Sequence, residues 1–314
     1  MRVLRRASRP VTEAAGAVRT IRWQPASRLF VVGDGFGWSI DEDARFVAAV
    51  ARRLGYEVAP PRWARFARDQ SVFLPDHFTA LDPLWTGSTH RVGLAYFHGR
   101  PGTPGYPEFD LAFDRLRQDP GRIARVHVTH REMRDLVLSA GVDPAHVSTI
   151  RLGVDRSRYR PVDMESRRRA RARFGIDTDS FVVGSFQKDG VGLGRGSEPK
   201  LVKGPDVLLA TLEEVHAAVP QLHVLLTGLA RGYVVDGLEM LGIPYTHVLL
   251  PTPDDVAGAY HALDAYVVTS RQEGGPKGPL EAMATGVPKP EVPSMIAPNE
   301  KAISRTWRRR SNEM

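Results

Sequence analysis

Residues 265–288, AYVVTSRQEGGPKGPLEAMATGVP, pass from an apolar run through a glycine- and proline-rich turn into a short helical segment from Leu280. This order of strand, loop and helix places the turn at the carboxyl end of a buried strand, where open α/β sheets bind their ligands. Two carboxylates eight positions apart, Glu273 and Glu281, bracket the loop and the start of the helix. Exposed N–H groups at a helix start suit a phosphate, and carboxylates suit sugar hydroxyls. Carboxylates beside a diphosphate are unfavourable on charge alone, so such a site needs basic partners. The plainer alternative is a capped turn, with Glu273 solvated and Glu281 set against the helix dipole.

Outward from this stretch, apolar β-rich runs alternate with stretches of helical period, the pattern of parallel sheets with crossover helices. The first half predicts strands at 29–33, 56–60, 91–98, 123–129 and 147–152. Helices are expected at 41–55, from about 108, and at 131–141. Helix 41–55 gathers Phe46, Val47, Val50 and Leu54 on one face. The second half predicts strands at 181–186, 222–228, 247–250 and 265–270, with helices at 205–219, near 234–241 and at 254–263. On helix 205–219, Val207, Leu208, Leu212, Val215 and Val219 face inward. Between Arg156 and Arg173 the composition turns Arg-rich and Pro-bearing, which marks a junction. The reading is therefore α/β, with two Rossmann-like domains at 29–161 and 162–288, a disordered basic leader at 1–28 and an irregular basic tail at 289–314. The pattern stops at Val287 without a return strand, so the second domain is expected to be incomplete.

The chain has 314 residues, 42% of them hydrophobic, no cysteine and a net charge of +7. Disulfides and thiolate metal sites are excluded. The charge sits at the ends: residues 1–28 hold seven Arg against Glu13, and residues 289–314 hold six Lys or Arg against three Glu. The intervening body is near neutral and lacks the basic footprint that nucleic-acid binding requires. No apolar stretch approaches the ~20 residues needed to cross a bilayer, and the N-terminal region has no secretory h-region. A cytoplasmic protein is expected. Its basic ends can touch an anionic inner-membrane surface, although solvated ends are the simpler reading.

Ser270-Arg-Gln-Glu273 with Glu281-Ala-Met-Ala-Thr-Gly-Val-Pro288 resembles the E-x7-E signature of the retaining glycosyltransferases of family four, which have the GT-B architecture. Three further segments resemble the same family in the same order: Ile150-Arg-Leu-Gly-Val-Asp155 with Tyr159 and Pro161, Val183-Gly-Ser-Phe-Gln-Lys188, and Lys203-Gly-Pro-Asp-Val-Leu-Leu209. The resemblance covers about residues 90–288. It implies a sugar transferred with retention from a nucleotide-diphosphate donor, without a metal or other cofactor, to a glycan, lipid or small-molecule acceptor. Lys188 and Lys203 would neutralise the diphosphate, which needs two cations if no metal supplies the charge. The family commonly has Arg at the first basic position, whereas Gln187 precedes Lys188 here. Glu281 would hold the ribose hydroxyls and Glu273 the transferred sugar. The backbone of Gly274, Gly275 and Lys277 would approach sugar and phosphates, while Pro276 has no N–H to offer.

On the acceptor side, His98 in Tyr96-Phe-His-Gly-Arg100 resembles the family's histidine facing the interdomain cleft, with Arg100 beside it. Gly33, Gly35 and Gly37 form a G-x-G-x-G loop after the first strand, which permits close approach of a ligand. The spacing is not that of a dinucleotide fingerprint, and this weighs against an oxidoreductase using Gly33–Gly37 and Glu57. Asp41-Glu-Asp43 and Asp177-Thr-Asp179 match D-x-D but read as a helix start and a turn. The glycines at 190, 192, 194 and 196 form a flexible loop that either lies over the donor or is an insertion. An inactive remnant that at most binds nucleotide is the alternative to an active transferase.

Overall fold

The computed structural model describes residues 28–35 and 39–287, and in it the alternating apolar runs form two separate parallel sheets. The chain divides into units Met1–Leu152 and Gly153–Met314. The first unit holds β1 (Arg28–Val31), β2 (Glu57–Ala59), β3 (Ser71–Leu74), β4 (Arg91–Ala95), β5 (Ile123–Val128) and β6 (Val147–Thr149), in the order β2-β1-β3-β4-β5-β6. The second holds β7 (Phe181–Ser185), β8 (Leu222–Thr227), β9 (Tyr245–Val248) and β10 (Ala265–Tyr266), in the order β10-β7-β8-β9. Every paired strand is parallel. Parallel neighbours require crossovers. The main ones are helices α1 (Ser39–Arg53), α2 (Pro107–Gln118) and α3 (Arg131–Ser139) in the first unit. The second unit has α4 (Met164–Arg173), α5 (Pro205–Ala218), α6 (Gly232–Leu241), α7 (Pro253–Tyr260) and α8 (Lys277–Ala284).

The second sheet is buried on both faces, which explains its near-continuous apolar strands. Val182 and Leu225 enter one core with Ala257, Tyr260 and Leu263. Val183, Val224 and Leu226, one residue out of phase, enter the other with Leu208, Leu212 and Leu238. Strand order reverses between β1 and β3 in the first sheet and between β7 and β10 in the second. In open α/β sheets ligands bind at such a reversal, outside the strands' carboxyl ends.

Several expectations are corrected. The chain divides nine residues before the expected 161/162 boundary, because Tyr159 is buried in a core of the second unit and Val154 packs against it. The Arg-rich stretch read as a junction contains helix α4. Its Arg171 is 7% exposed and lies 2.5 Å from Asp264, while also donating to the carbonyls of Ala262, Thr178 and Ser180. Strand β3, absent from the reading, pairs with both β1 and β4. Strand β9 begins at Tyr245, two residues before the expected start, and β10 spans two residues. Helix α8 begins at Lys277, three residues before Leu280, because Pro279 falls in a first turn whose N–H groups have no intrahelical partner.

Helix α1 turns its small residues Ala44 and Ala51 inward, whereas Phe46 and Leu54 stay 67% and 70% exposed. These two border a groove of about 400 Å³ with Leu29, Val50 and Tyr56. No helix among the described residues is long and apolar enough to cross a membrane. The basic leader to residue 27 and the tail from 289 lie outside the described residues.

Candidate active site

The candidate site of the second unit is built where β7 and β10 end. Strand β7 delivers Phe186, Gln187 and Lys188, and β10 delivers the loop that runs from Val267 to Pro276. Between them stands the entry to α5. There Gly204 adopts φ +63°, and a Cβ would come within 2.0 Å of the Thr269 carbonyl oxygen, so only glycine lets the two segments meet. The Thr269 hydroxyl donates back to the Gly204 carbonyl at 2.8 Å. The Gln187 amide donates to the Lys203 carbonyl at 2.9 Å.

These contacts bring two of the predicted donor residues, Lys203 and Glu273, together. Lys203 Nζ lies 2.6 Å from Glu273 Oε1, with the two side chains 19% and 21% exposed. The Ser270 hydroxyl stands 2.6 Å from the same oxygen and 2.9 Å from Gln187 Oε1. Its single proton serves one of them at a time. Partial burial pulls the Lys188 ammonium below the usual lysine value. Gly274, Gly275 (φ +93°) and Lys277 form the turn into α8, whose N-terminus has no side-chain cap. Glu281, one turn further on, accepts a 2.8 Å hydrogen bond from the buried Tyr260 hydroxyl. The two carboxylates of the motif are thus held by different partners, Lys203 for one and Tyr260 for the other.

The glycine-rich loop from 190 to 196 is a built element. Gly190 and Pro199 form an antiparallel bridge. The Gly232 N–H donates to the Arg195 carbonyl at 2.7 Å, and Arg195 pairs with Asp236. A Cβ at Gly196 would meet the Ala230 backbone at 2.5 Å. Beneath the loop, Asp189 and Arg231 are both fully buried, with Arg231 Nη2 3.0 Å from Asp189 Oδ2. This is a charge contact rather than an aligned hydrogen bond, since neither carboxylate oxygen of Asp189 accepts one. Burial pushes the Asp189 carboxyl up and draws the Arg231 guanidinium down, each against the pull of its partner. Arg231 also donates to the Ser185 and Thr227 carbonyls at 2.5 and 3.2 Å, and so ties together the ends of β7 and β8. Sequence reasoning missed this pair. The one signal it offered was a charged residue directly between β8 and α6.

In the first unit, His98 lies past the end of β4. Its ring packs edge-on to His77, with centroids 5.5 Å apart, and 5.9 Å from Phe78 and Phe109. His77 comes from the end of β3 and is 3% exposed. It stacks on Tyr96 with ring centroids 4.1 Å apart, and its Nε2 has no hydrogen-bond partner. Burial first, then the neighbouring His98, hold its pKa well below 6.5. Arg100 pairs with Glu132. The loop after β1 folds onto Asp41, whose Oδ1 accepts from the Gly35 N–H at 3.1 Å. A Cβ at Gly33 would meet that same oxygen at 2.0 Å, so the packing of Asp41 is itself a reason for glycine at 33. Gly37 lies outside the described residues. Asp177 Oδ1 accepts from the Asp179 N–H at 3.1 Å, in keeping with a turn.

Residues 189–289 match the family model described as glycosyl transferases group 1. D-inositol 3-phosphate glycosyltransferases of Rhodococcus erythropolis and Rhodococcus opacus are 36% and 35% identical over 159 and 171 residues. Those stretches cover 47% and 51% of this chain but 33% and 35% of the relatives, so the chain spans about a third of the length of the curated relatives it matches. Among solved structures, the chain is similar to Anabaena HepE in complex with UDP and glucose, at a TM-score of 0.63 and 15% identity over 84% of this chain and 79% of that one. It is similar to sucrose-phosphate synthase from Thermosynechococcus elongatus at a TM-score of 0.63 and 14% identity over 84% and 80%. The α/β fold with two parallel sheets is that of the GT-B glycosyltransferases.

Proposed function

We propose that this chain, a relative of the group 1 glycosyltransferases through residues 189–289, moves a sugar from a nucleotide-diphosphate donor to an acceptor hydroxyl. The observation that carries the reading is the Lys203–Glu273 pair, with Glu281 held by Tyr260, on the segments that follow β7 and β10, where the strand order of the second sheet reverses. In this reading the diphosphate displaces Glu273 from Lys203 and is neutralised by Lys203 and Lys188. The N–H groups of Gly274, Gly275 and Lys277 add dipoles without any reorganisation at the moment of reaction. Glu273, once released, accepts hydroxyls of the sugar, and Glu281 accepts those of the ribose.

With lysines supplying the charge, the leaving group needs no metal. The donor's own phosphate oxygen takes the acceptor's proton as the hydroxyl attacks on the face the nucleotide leaves, which gives retention. The protein contributes orientation and charge stabilisation, and no covalent nucleophile is required. His98 is the acceptor-side candidate, with the Gly33–Gly35 loop and Arg100 on the same unit. The acceptor class is a glycan, a lipid headgroup or a small polyol; the relatives' names suggest an inositol phosphate. Titration with nucleoside diphosphates tests the reading: Lys203→Ala should weaken binding by roughly 1.5–3 kcal/mol, the range for a charge-assisted contact. Equal affinity in the variant removes Lys203 from the site.

A further inference from the structure

We propose that Tyr260 is a positioning residue for nucleoside recognition, its buried hydroxyl holding the Glu281 carboxylate in the orientation that receives the ribose. The inference rests on the donor-site reading above and extends it to a residue outside the E-x7-E motif. Tyr260 ends helix α7 and is 1% exposed. Its hydroxyl donates to Glu281 Oε2 at 2.8 Å across 21 residues of sequence. The ring is locked by Phe186, Tyr266 and Tyr159, with centroids 4.8, 5.2 and 5.9 Å away. Phe186, two residues before Lys188 in sequence, belongs to the aromatic cluster that holds Tyr260.

The approach of α8 to this cluster is itself built in. A Cβ at Gly278 would come within 2.4 Å of the Tyr266 hydroxyl oxygen, and that oxygen lies 3.4 Å from the Phe186 N–H. Glycine at 278 therefore lets the first turn of α8 rest on Tyr266, which brings Glu281, one turn later, within reach of Tyr260. Burial, then the neighbouring Tyr266 and Glu281, push the Tyr260 phenol well above its ordinary value, so it remains a donor across the working pH range. A carboxylate held by a fixed donor loses less rotamer entropy when it meets a ligand than a swinging one does. Any buried tyrosine hydroxyl needs a partner; what is particular here is that the partner is the second carboxylate of the E-x7-E motif.

Tyr260→Phe keeps the ring and deletes the hydroxyl. Calorimetric titration of the full chain with UDP, GDP, ADP and pyrophosphate, with the melting temperature measured alongside, separates the possibilities. The expected result is about tenfold weaker binding of the best nucleoside diphosphate, with pyrophosphate affinity within twofold of the parent. Adding Glu281→Gln to Tyr260→Phe should cost little beyond Glu281→Gln alone, since both act through one carboxylate. Unchanged nucleoside diphosphate affinity in Tyr260→Phe overturns the proposal and leaves the donor-site reading standing. An equal loss for pyrophosphate, or a variant that no longer folds, also overturns it, by placing the hydroxyl in general stability. A parent chain that binds none of the three nucleotides overturns both.

Discussion

Lys203 Nζ and Glu273 pair at 2.6 Å, so a diphosphate that uses Lys203 as proposed must compete with a carboxylate carried on the chain. A diphosphate carries more charge than a carboxylate, which is what the proposed exchange relies on. Glu273→Gln removes the competitor. It should tighten pyrophosphate binding severalfold while abolishing measurable sugar transfer, because the sugar loses its carboxylate; weaker pyrophosphate binding in the variant would show that Glu273 shapes the phosphate site instead. On the first unit, burial and the neighbouring His98 hold the His77 imidazole well below the usual histidine value, whereas an unfolded histidine takes up a proton below about pH 6.5. The unfolded state then binds more protons as pH falls, and stability declines with it. His77→Phe should flatten the decline of denaturant-measured stability between about pH 6.5 and 5 without abolishing it, since burial also lowers His223 and His261. An unchanged slope would place the acid sensitivity elsewhere. Glu273 and Glu281 were legible in the sequence from their spacing, and Lys203 from a family resemblance. Asp189, Arg231, His77 and Tyr260 were not, since each gains meaning only from a partner that the folded chain brings to it.

At the scale of elements, helices and strands with strong periodicity were legible, and their bounds differ mostly by one to three residues. The failures have physical causes. Strand β3 spans four residues ahead of Pro75, too few to show a period. Helix α4 was hidden by its arginines, which read as the mark of a junction, while Arg171 is buried and satisfied by Asp264 and three carbonyls. Arg171→Ala should therefore cost about 3–5 kcal/mol, the range for orphaning a buried partner, and nearer the lower bound because the Asp264 side chain is 27% exposed. A loss below 1 kcal/mol by urea unfolding would mean that water replaces the guanidinium. Gly204→Ala combines a left-handed backbone with a carbonyl oxygen in the way. About 1–3 kcal/mol of strain is expected from the backbone alone, with Lys203 displaced from Glu273 as the segment shifts.

For the whole molecule, composition and alternation were enough to read two Rossmann-like units, and the strand orders place one reversal in each. The near-neutral body and basic ends were legible as numbers, but the ends lie outside the described residues. The proposed donor chemistry falls to the second unit alone, because the two lysines and both motif carboxylates belong to it. This assignment is the central claim, and hydrogen exchange of the full chain with and without saturating UDP, GDP or ADP tests it most directly. The account predicts that at least one nucleotide slows exchange in residues 186–204 and 269–284, and that Lys203→Ala removes the effect at the same ligand concentration. Protection confined to residues 28–152, or no protection by any of the three, would contradict it.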